Sequence, residues 1–141
     1  NFTDGEFRLV IGDTVQGRDQ DVKRVILCAG QVYYDLAKAR ADKGLEKDIA
    51  IVRVEQLYPF PYEEVAAELK RFPNATEIMW AQEEPKNQGA WYQIRHRLEK
   101  VLGANQRLTT ASRPASASPA VGYAVKHKAG LDGLLEDAMK F

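Results

Sequence analysis

Two segments of the sequence combine charged and amide side chains in a way that suits binding. The first, AQEEPKNQGAW, spans residues 81–91 and carries Glu83, Glu84, Asn87 and Gln88 directly after an apolar run. Asn87 and Gln88 could cap the helix that follows, but capping accounts for one amide and leaves the other amide and both carboxylates unexplained. We therefore expect these four residues to form hydrogen bonds across an interface with another domain or subunit.

The second segment, SRPASASPAVG, offers the guanidinium group of Arg113 at the end of a predicted strand. Small residues follow it, and no acid within this loop neutralises its charge. Such an arginine suits bidentate binding of a phosphate or carboxylate group. The alternative is a salt bridge to Glu83 or Glu84 at the neighbouring strand end, and both roles are compatible if a ligand competes for the arginine.

The residue types that most often catalyse reactions are isolated in this sequence. His96 lies between two arginines on a predicted helix and His127 lies near a helix start, so we expect both at the surface. Neither has a cysteine or carboxylate at metal-ligand spacing. Cys28 closes a buried strand and is expected to be a small core residue. Because the sequence also lacks G-x-G-x-x-G and P-loop motifs, we predict no catalytic residue, no metal site and no phosphate loop in this chain.

The elements that must position these side chains follow from the apolar pattern. Apolar runs predict strands at Val22–Gly30, Ile49–Phe60, Ala75–Glu84 and Arg107–Arg113, with an extra edge strand at Phe7–Asp13. Helical spacing follows the first three of the main runs, in Val32, Leu36 and Ala39, in Val65, Leu69 and Phe72, and in Trp91, Ile94, Leu98 and Val101. Gly44 is a natural end for the first helix, and a closing helix is expected from about Val125 to Met139.

Strands that alternate with helices of this length predict an open, mostly parallel α/β sheet with helices on both faces, in a single domain spanning residues 1–141. In such a sheet the loops after the strands meet at one end, where ligands and partners bind. The loops in question are CAGQ, EQLYPFP, AQEEPKNQGAW and SRPASASPAVG. The fold class therefore brings both polar segments to the same end of the sheet.

Composition excludes several classes of partner. The formal net charge is +0, from 20 basic and 20 acidic residues, which gives no general attraction to nucleic acid or to an anionic membrane. No apolar run approaches the roughly 20 residues that span a bilayer. The single cysteine fits a reducing compartment. The first residue is Asn1, so the chain could be a processed product or a piece of something larger.

Several irregular loops together carry a resemblance to a known family. In order and spacing, VEQLYPFP, QEEPKNQGAW and RPASASPAVG, after VILCAGQVYYDL, closely resemble the carboxyl-terminal domain of 2-oxoglutarate dehydrogenase, the thiamine-diphosphate-dependent decarboxylating component. The resemblance runs from FRLVIGD to the last helix. It implies a transketolase carboxyl-terminal-domain-like fold. It also implies the carboxyl-terminal part of a multidomain enzyme that decarboxylates 2-oxoglutarate and transfers succinyl to lipoyl groups in the tricarboxylic acid cycle.

The resemblance also implies what this chain lacks. In that family thiamine diphosphate and magnesium are held by a G-D-G…N motif in an earlier domain, and this sequence has no G-D-G. The fragment alone is therefore expected to be inactive and to have a structural and regulatory role. The implied location is cytoplasmic, or the mitochondrial matrix if the source is eukaryotic.

The implied partners are the other domains of the same enzyme, a homodimer partner, the dihydrolipoyl succinyltransferase component and a nucleotide-type effector such as acetyl-coenzyme A. Arg113 is the residue that we carry over as an anion-binding group. The alternative hypothesis is a free-standing α/β module whose strand-end loops bind a small anion. An upstream thiamine-binding domain in the parent gene would distinguish the two.

Overall fold

A computed structural model describes residues 10–12, 19–55, 60–85, 90–113 and 133–140, without the side chains of Pro85 and Arg113. The strands are β1 (Val10–Ile11), β2 (Arg24–Cys28), β3 (Ile49–Val54), β4 (Glu77–Pro85) and β5 (Arg107–Arg113). The α-helices are α1 (Val32–Asp42), α2 (Tyr62–Lys70) and α3 (Trp91–Glu99). A short 3-10 helix spans Asp19–Asp21, and residues 133–139 are helical.

The described strands form one five-stranded sheet in the order β1-β3-β2-β4-β5. Strands β3, β2, β4 and β5 are parallel, and β1 pairs antiparallel with β3 at the edge. Every residue of β2 is buried, as is typical of a parallel strand with both faces covered. This confirms the predicted open, mostly parallel sheet.

Helices cover both faces of the sheet, as predicted. On one face α2 and α3 bury the stripes predicted for them, Val65 and Leu69 with Phe72, and Trp91 with Ile94 and Leu98, against alternate residues of β2, β3 and β4. On the other face α1 and residues 133–139 bury Val32, Leu36, Leu134, Ala138 and Met139. Because side chains alternate along a strand, Ile26 and Cys28 lie on the face covered by α1, and Val25 and Leu27 lie on the face covered by α2 and α3.

The observed boundaries differ from the predicted ones mainly at strand ends. Strand β2 is shorter than Val22–Gly30, and β3 ends at Val54. Strand β4 continues to Pro85, which the sequence pattern places in a turn; a proline is tolerated there because it stands at a strand end beside a break in pairing. The edge strand is confirmed at Val10–Ile11. Gly12, Glu55 and Phe60, which the apolar pattern places in strands, lie outside the observed strands, so these predicted bounds are too long. Residues 7–9 and 13 of the predicted edge strand, residues 56–59 of the second predicted strand and residues 125–132 of the closing helix lie outside the described residues.

Strand order fixes where the loops meet. The connection through α1 leads from β2 to β3 on one side, and the connection through α2 leads back past β2 to β4. This reversal between β2 and β4 is a topological switch point, and ligands of open α/β sheets bind beyond the carboxyl ends of strands at such points. We call the end of the sheet at Cys28, Val54, Pro85 and Arg113 the carboxyl end. The opposite end, at Arg24, Ile49, Glu77 and Arg107, is the amino end.

Candidate functional site

The structure brings the backbone of Glu83, Glu84 and Arg113 to the carboxyl end of the sheet. Glu83 is half-buried and Glu84 is exposed, both near the end of β4. Arg113 ends the adjacent strand β5, where it pairs with Pro85. The side chain of Arg113, and the residues Asn87 and Gln88, lie outside the described part of the chain. The predicted interface and the predicted anion clamp therefore stay predictions, although their backbone positions are adjacent.

The end of β4 departs from regular pairing where these acids stand. Ala81 pairs with Ala111, but the next paired residues are Pro85 and Arg113, so β4 advances four residues while β5 advances two. Irregularities of this kind re-aim side chains and are frequent beside binding sites. The side chains of residues 82–84 consequently do not alternate between the two faces of the sheet as they would in a regular strand. Gln82 is buried, Glu83 is half-buried and Glu84 is exposed.

Gln82 binds the end of β4 to the start of α3, a role that the sequence analysis missed. Its Oε1 accepts hydrogen bonds from the indole Nε1 of Trp80 at 3.0 Å and from the backbone N of Trp91 at 3.1 Å. Its Nε2 donates to the carbonyl oxygen of Glu84 at 3.2 Å. The position before α3 is Ala90, which has no side-chain cap. A buried amide from the preceding strand thus satisfies a first-turn N–H group that a local cap would otherwise bind.

A second polar cluster lies across the switch point, where β3 ends and α1 begins. The guanidinium carbon of Arg53 lies 4.8 Å from the ring centroid of Tyr33 and 5.6 Å from that of Tyr34. Its Nη2 atom lies 3.0 Å from Oε1 of Glu55. Contacts of a guanidinium with aromatic faces and with a carboxylate fix its orientation. The residue pattern does not predict this cluster, because Arg53 interrupts an apolar run that predicts only a buried strand.

Three buried polar atoms in the carboxyl-end halves of their elements have no hydrogen-bond partner within the described residues. They are the indole Nε1 of Trp91, in a residue that is 6% exposed, the hydroxyl oxygen of Thr110 and Nε of Arg53. Buried donors and acceptors in folded proteins are almost always satisfied. These three groups therefore mark positions where a hydrogen-bonding partner is required.

Candidate catalytic residues are placed as the sequence analysis predicts. His96 is exposed on α3, and Cys28 is buried in the core on the α1 face; His127 lies outside the described residues. Within the described ranges no group of three or more His, Cys, Asp or Glu could hold a metal ion. None of the helices described there is long and apolar enough to cross a membrane.

Comparison with known families decides the classification. The model of a family described as 2-oxoglutarate dehydrogenase C-terminal matches residues 1–139. The chain belongs to this family. The resemblance carried by the loop segments is thereby confirmed over nearly the whole length of the chain.

Individual relatives of the chain carry names that agree with this family. It is 52% identical over 134 residues to the 2-oxoglutarate dehydrogenase E1 component of Cupriavidus necator, a match that covers 95% of the chain and 14% of that protein. It is 48% identical over 137 residues to the protein of the same name from Haemophilus influenzae, covering 97% and 14%. The corresponding protein of Coxiella burnetii is 47% identical over 137 residues, covering 96% and 15%. The chain thus spans about a seventh of the length of these relatives.

Proposed function

We propose that this chain is the carboxyl-terminal domain of a 2-oxoglutarate dehydrogenase E1 component that decarboxylates 2-oxoglutarate and transfers the succinyl group to lipoyl groups in the tricarboxylic acid cycle. The observation that carries the proposal is the family match over residues 1–139, together with 52% identity over 134 residues to an E1 component. Because the relatives extend far beyond the matched region, the chemistry belongs to the whole enzyme.

The role of this domain is structural and regulatory. The proposed enzyme binds thiamine diphosphate and magnesium through residues outside this chain, since the sequence has no G-D-G segment. The described residues do not fit such a site, because they include no cluster of three or more His, Cys, Asp or Glu with metal-binding geometry. Within the proposed enzyme, located in the cytoplasm or in the mitochondrial matrix of a eukaryote, the domain supports a catalytic centre that is built elsewhere.

The polar segments at the carboxyl end have distinct roles within that enzyme. Glu83, Glu84, Asn87 and Gln88 form an interface with another domain or with the homodimer partner. Arg113 binds the phosphate or carboxylate group of a nucleotide-type effector such as acetyl-coenzyme A. What supports both roles is placement: Glu83 and Glu84 stand at the irregularity of β4, and Arg113 ends the adjacent strand. The dihydrolipoyl succinyltransferase component is the partner that receives the succinyl group.

Activity measurements on whole and shortened polypeptides test the proposal. With thiamine diphosphate and Mg²⁺ supplied, the full-length polypeptide should turn over 2-oxoglutarate, whereas the 141-residue chain alone should not. Turnover by the isolated chain would contradict the assignment of catalysis to the preceding part. An open reading frame that encodes this chain alone would instead favour the free-standing anion-binding module.

A further inference from the structure

Among the described residues, the exposed tyrosine side chains lie at one end of the sheet. The large hydrophobic side chains that the described residues expose are Tyr34, Tyr62 and Tyr92, at 61%, 37% and 53%. Tyr34 is the third residue of α1, Tyr62 the first of α2 and Tyr92 the second of α3. Because each of these helices follows a parallel strand, each begins at the carboxyl end of the sheet. The three tyrosines therefore surround that end on both faces.

An exposed tyrosine by itself needs no explanation, but this distribution does. Single apolar residues are scattered over most protein surfaces, whereas aromatic residues that converge on one region are typical of interfaces. At the amino end of the described chain no large hydrophobic side chain is exposed. Tyrosine also combines a large apolar ring with a hydroxyl group, so it can be covered by a partner without leaving an unsatisfied polar atom.

The carboxyl end also carries an excess of carboxylates. In its described part these are Asp35, Glu55, Glu63, Glu64, Glu83 and Glu84, against the basic residues Arg53, Arg95 and Arg113. Asp35, Glu63 and Glu64 stand in first helical turns, where the helix dipole favours acids. That explanation does not apply to Glu83 and Glu84, which lie at a strand end. A surface that combines carboxylates with exposed tyrosines complements a basic protein surface, because arginine and lysine pair with carboxylates and pack on aromatic faces.

The length of the relatives indicates which part of the protein supplies the complementary basic surface. In the E1 components of Cupriavidus necator and Haemophilus influenzae the matched region is 14% of the protein, so most of the polypeptide lies outside it. A nucleic acid is excluded by its own negative charge. The buried Nε1 of Trp91, at the first residue of α3, lacks a partner among the described residues and lies at the same end.

We propose that the carboxyl end of the sheet, bordered by Tyr34, Tyr62 and Tyr92, is the surface on which a basic region of the preceding part of the same polypeptide docks. The inference rests on the proposed function, since it requires the chain to be one domain of a longer enzyme. It goes further by assigning the docking face, its anchoring tyrosines and the charge of the partner surface.

Site-specific photo-crosslinking in the full-length enzyme tests the proposal. A benzophenone amino acid is placed in turn at Tyr34, Tyr62 and Tyr92. Matched controls are placed at Lys43, Lys70 and Lys100, exposed residues just beyond or at the far ends of the same three helices. We expect the tyrosine positions to crosslink to Lys- and Arg-containing peptides of the preceding part, with at least a fivefold higher yield than the controls. Crosslinks to this same domain of a second copy, to another protein, or at control yield would overturn the proposal.

The charge of the partner surface is tested by neutral replacements on α2. Glu63→Gln with Glu64→Gln should lower the crosslinking yield from position 62 severalfold, whereas Glu99→Gln, exposed at the end of α3, should leave it unchanged. An equal yield in both variants would refute a basic partner surface.

Nitration of the wild-type enzyme gives a readout that needs no substitution. Docked tyrosines should resist tetranitromethane in the native full-length enzyme and react after unfolding. Nitration of Tyr34, Tyr62 and Tyr92 in the native enzyme at the rate of a free tyrosine would show that the face is uncovered and would overturn the docking proposal. Turnover of 2-oxoglutarate by the same preparation reports the proposed function separately. An active enzyme with freely nitrated tyrosines refutes the docking alone, and protected tyrosines without turnover refute the proposed reaction alone.

Discussion

At the amino end of the sheet charged side chains bind one another, whereas at the carboxyl end aromatic and acidic side chains are exposed. Arg24, which is 3% exposed, donates hydrogen bonds to the carbonyl oxygens of Ala138 and Lys140, and its Nη2 lies 2.9 Å from Oε1 of Glu77. The other carboxylate oxygen of Glu77 accepts from the hydroxyl of Thr109 at 2.8 Å. One network therefore joins β2, β4, β5 and the closing residues.

The carboxyl end shows the opposite arrangement. Its aromatic groups, Tyr34, Tyr62 and Tyr92, are exposed, and Trp91 Nε1 has no acceptor among the described residues. Gln82, with three hydrogen bonds within the domain, and the ion pair of Arg53 with Glu55 are the exceptions. The difference indicates that the amino end stabilises the fold, while the carboxyl end is available to bind another surface.

The largest expected effect is at the amino end. Arg24→Met removes the donor to two carbonyl oxygens and leaves Glu77, whose side chain is 13% exposed, with the exposed Arg107 at 3.9 Å in place of a buried ion-pair partner at 2.9 Å. Breaking a buried pair from one side costs about 3–5 kcal/mol, and we expect a loss of unfolding free energy of that size in urea denaturation. The control is Lys23→Met, an exposed residue 3.6 Å from Asp48, for which a loss of at most about 1 kcal/mol is expected. Equal losses in both variants would remove the distinction between the network and an ordinary surface pair.

A smaller loss is expected for the buried amide at the carboxyl end. Gln82→Leu puts an apolar side chain of similar size in the buried position and removes the acceptor for the Trp80 indole and the Trp91 amide. Leaving such donors unsatisfied costs about 1–3 kcal/mol, measurable by urea denaturation. Gln31→Leu is the matched control, because Gln31 is exposed at the start of α1 and makes no side-chain cap. If both leucine variants are as stable as wild type, Gln82 does not hold α3 to β4.

For Arg113→Lys we expect a loss of effector affinity without a loss of unfolding free energy. Arg113→Lys keeps the positive charge but removes the planar fork, so affinity of the full enzyme for acetyl-coenzyme A should fall about tenfold, equivalent to about 1.4 kcal/mol. Isothermal titration calorimetry measures it. Unchanged affinity would assign Arg113 to the structural alternative, a salt bridge to Glu83 or Glu84.

Substitutions at and just after the acidic end of β4 should weaken assembly more than folding. In the full enzyme, Glu83→Ala with Asn87→Ala should weaken dimer association or turnover roughly fivefold, equivalent to about 1 kcal/mol. The matched control at the other end is Glu99→Ala with Asn105→Ala, two exposed residues. Analytical ultracentrifugation and turnover assays compare the two. Identical behaviour of the two double variants would leave residues 81–91 as a plain turn.

The smallest effect is expected for the stacked arginine. Arg53→Lys removes the guanidinium that lies 4.8 Å from the Tyr33 ring centroid, and the partly exposed contact should contribute less than about 1 kcal/mol to the unfolding free energy. Arg95→Lys, an exposed residue 5.9 Å from the Tyr92 ring, should lose still less. Urea denaturation compares the pair, and a loss above about 2 kcal/mol for Arg53→Lys would place it among the groups that stabilise the fold.

Patterns that repeat locally were predictable from the sequence. The stripe of Trp91, Ile94 and Leu98 follows the helical period, and the structure buries all three against the sheet. The end of α1 was predictable for a similar reason: Gly44 adopts φ +66, a conformation that other residues rarely take. Both inferences use only neighbours in the sequence.

Interactions between distant residues were not predictable. The acceptors of Arg24 lie 114 and 116 residues away, and no local pattern links them. The first-turn amide of α3 is bound by Gln82, nine residues before it, while sequence rules favour an amide immediately before the helix. The exposure of Tyr34, Tyr62 and Tyr92 also follows from strand order, because only the parallel topology brings three helix starts to one end.

The contacts of Arg24 have a consequence for the order in which the protein is made. Synthesis runs from the amino terminus, so the guanidinium leaves the ribosome long before its two carbonyl acceptors, which follow 114 and 116 residues later. Until then the face of the sheet opposite α2 and α3 lacks Leu134, Ala138 and Met139. A nascent chain that stalls before residue 138 therefore carries a charge at its core boundary and an open apolar face. Translation of residues 134–140 therefore supplies both acceptors of Arg24 and covers this apolar face at the same time.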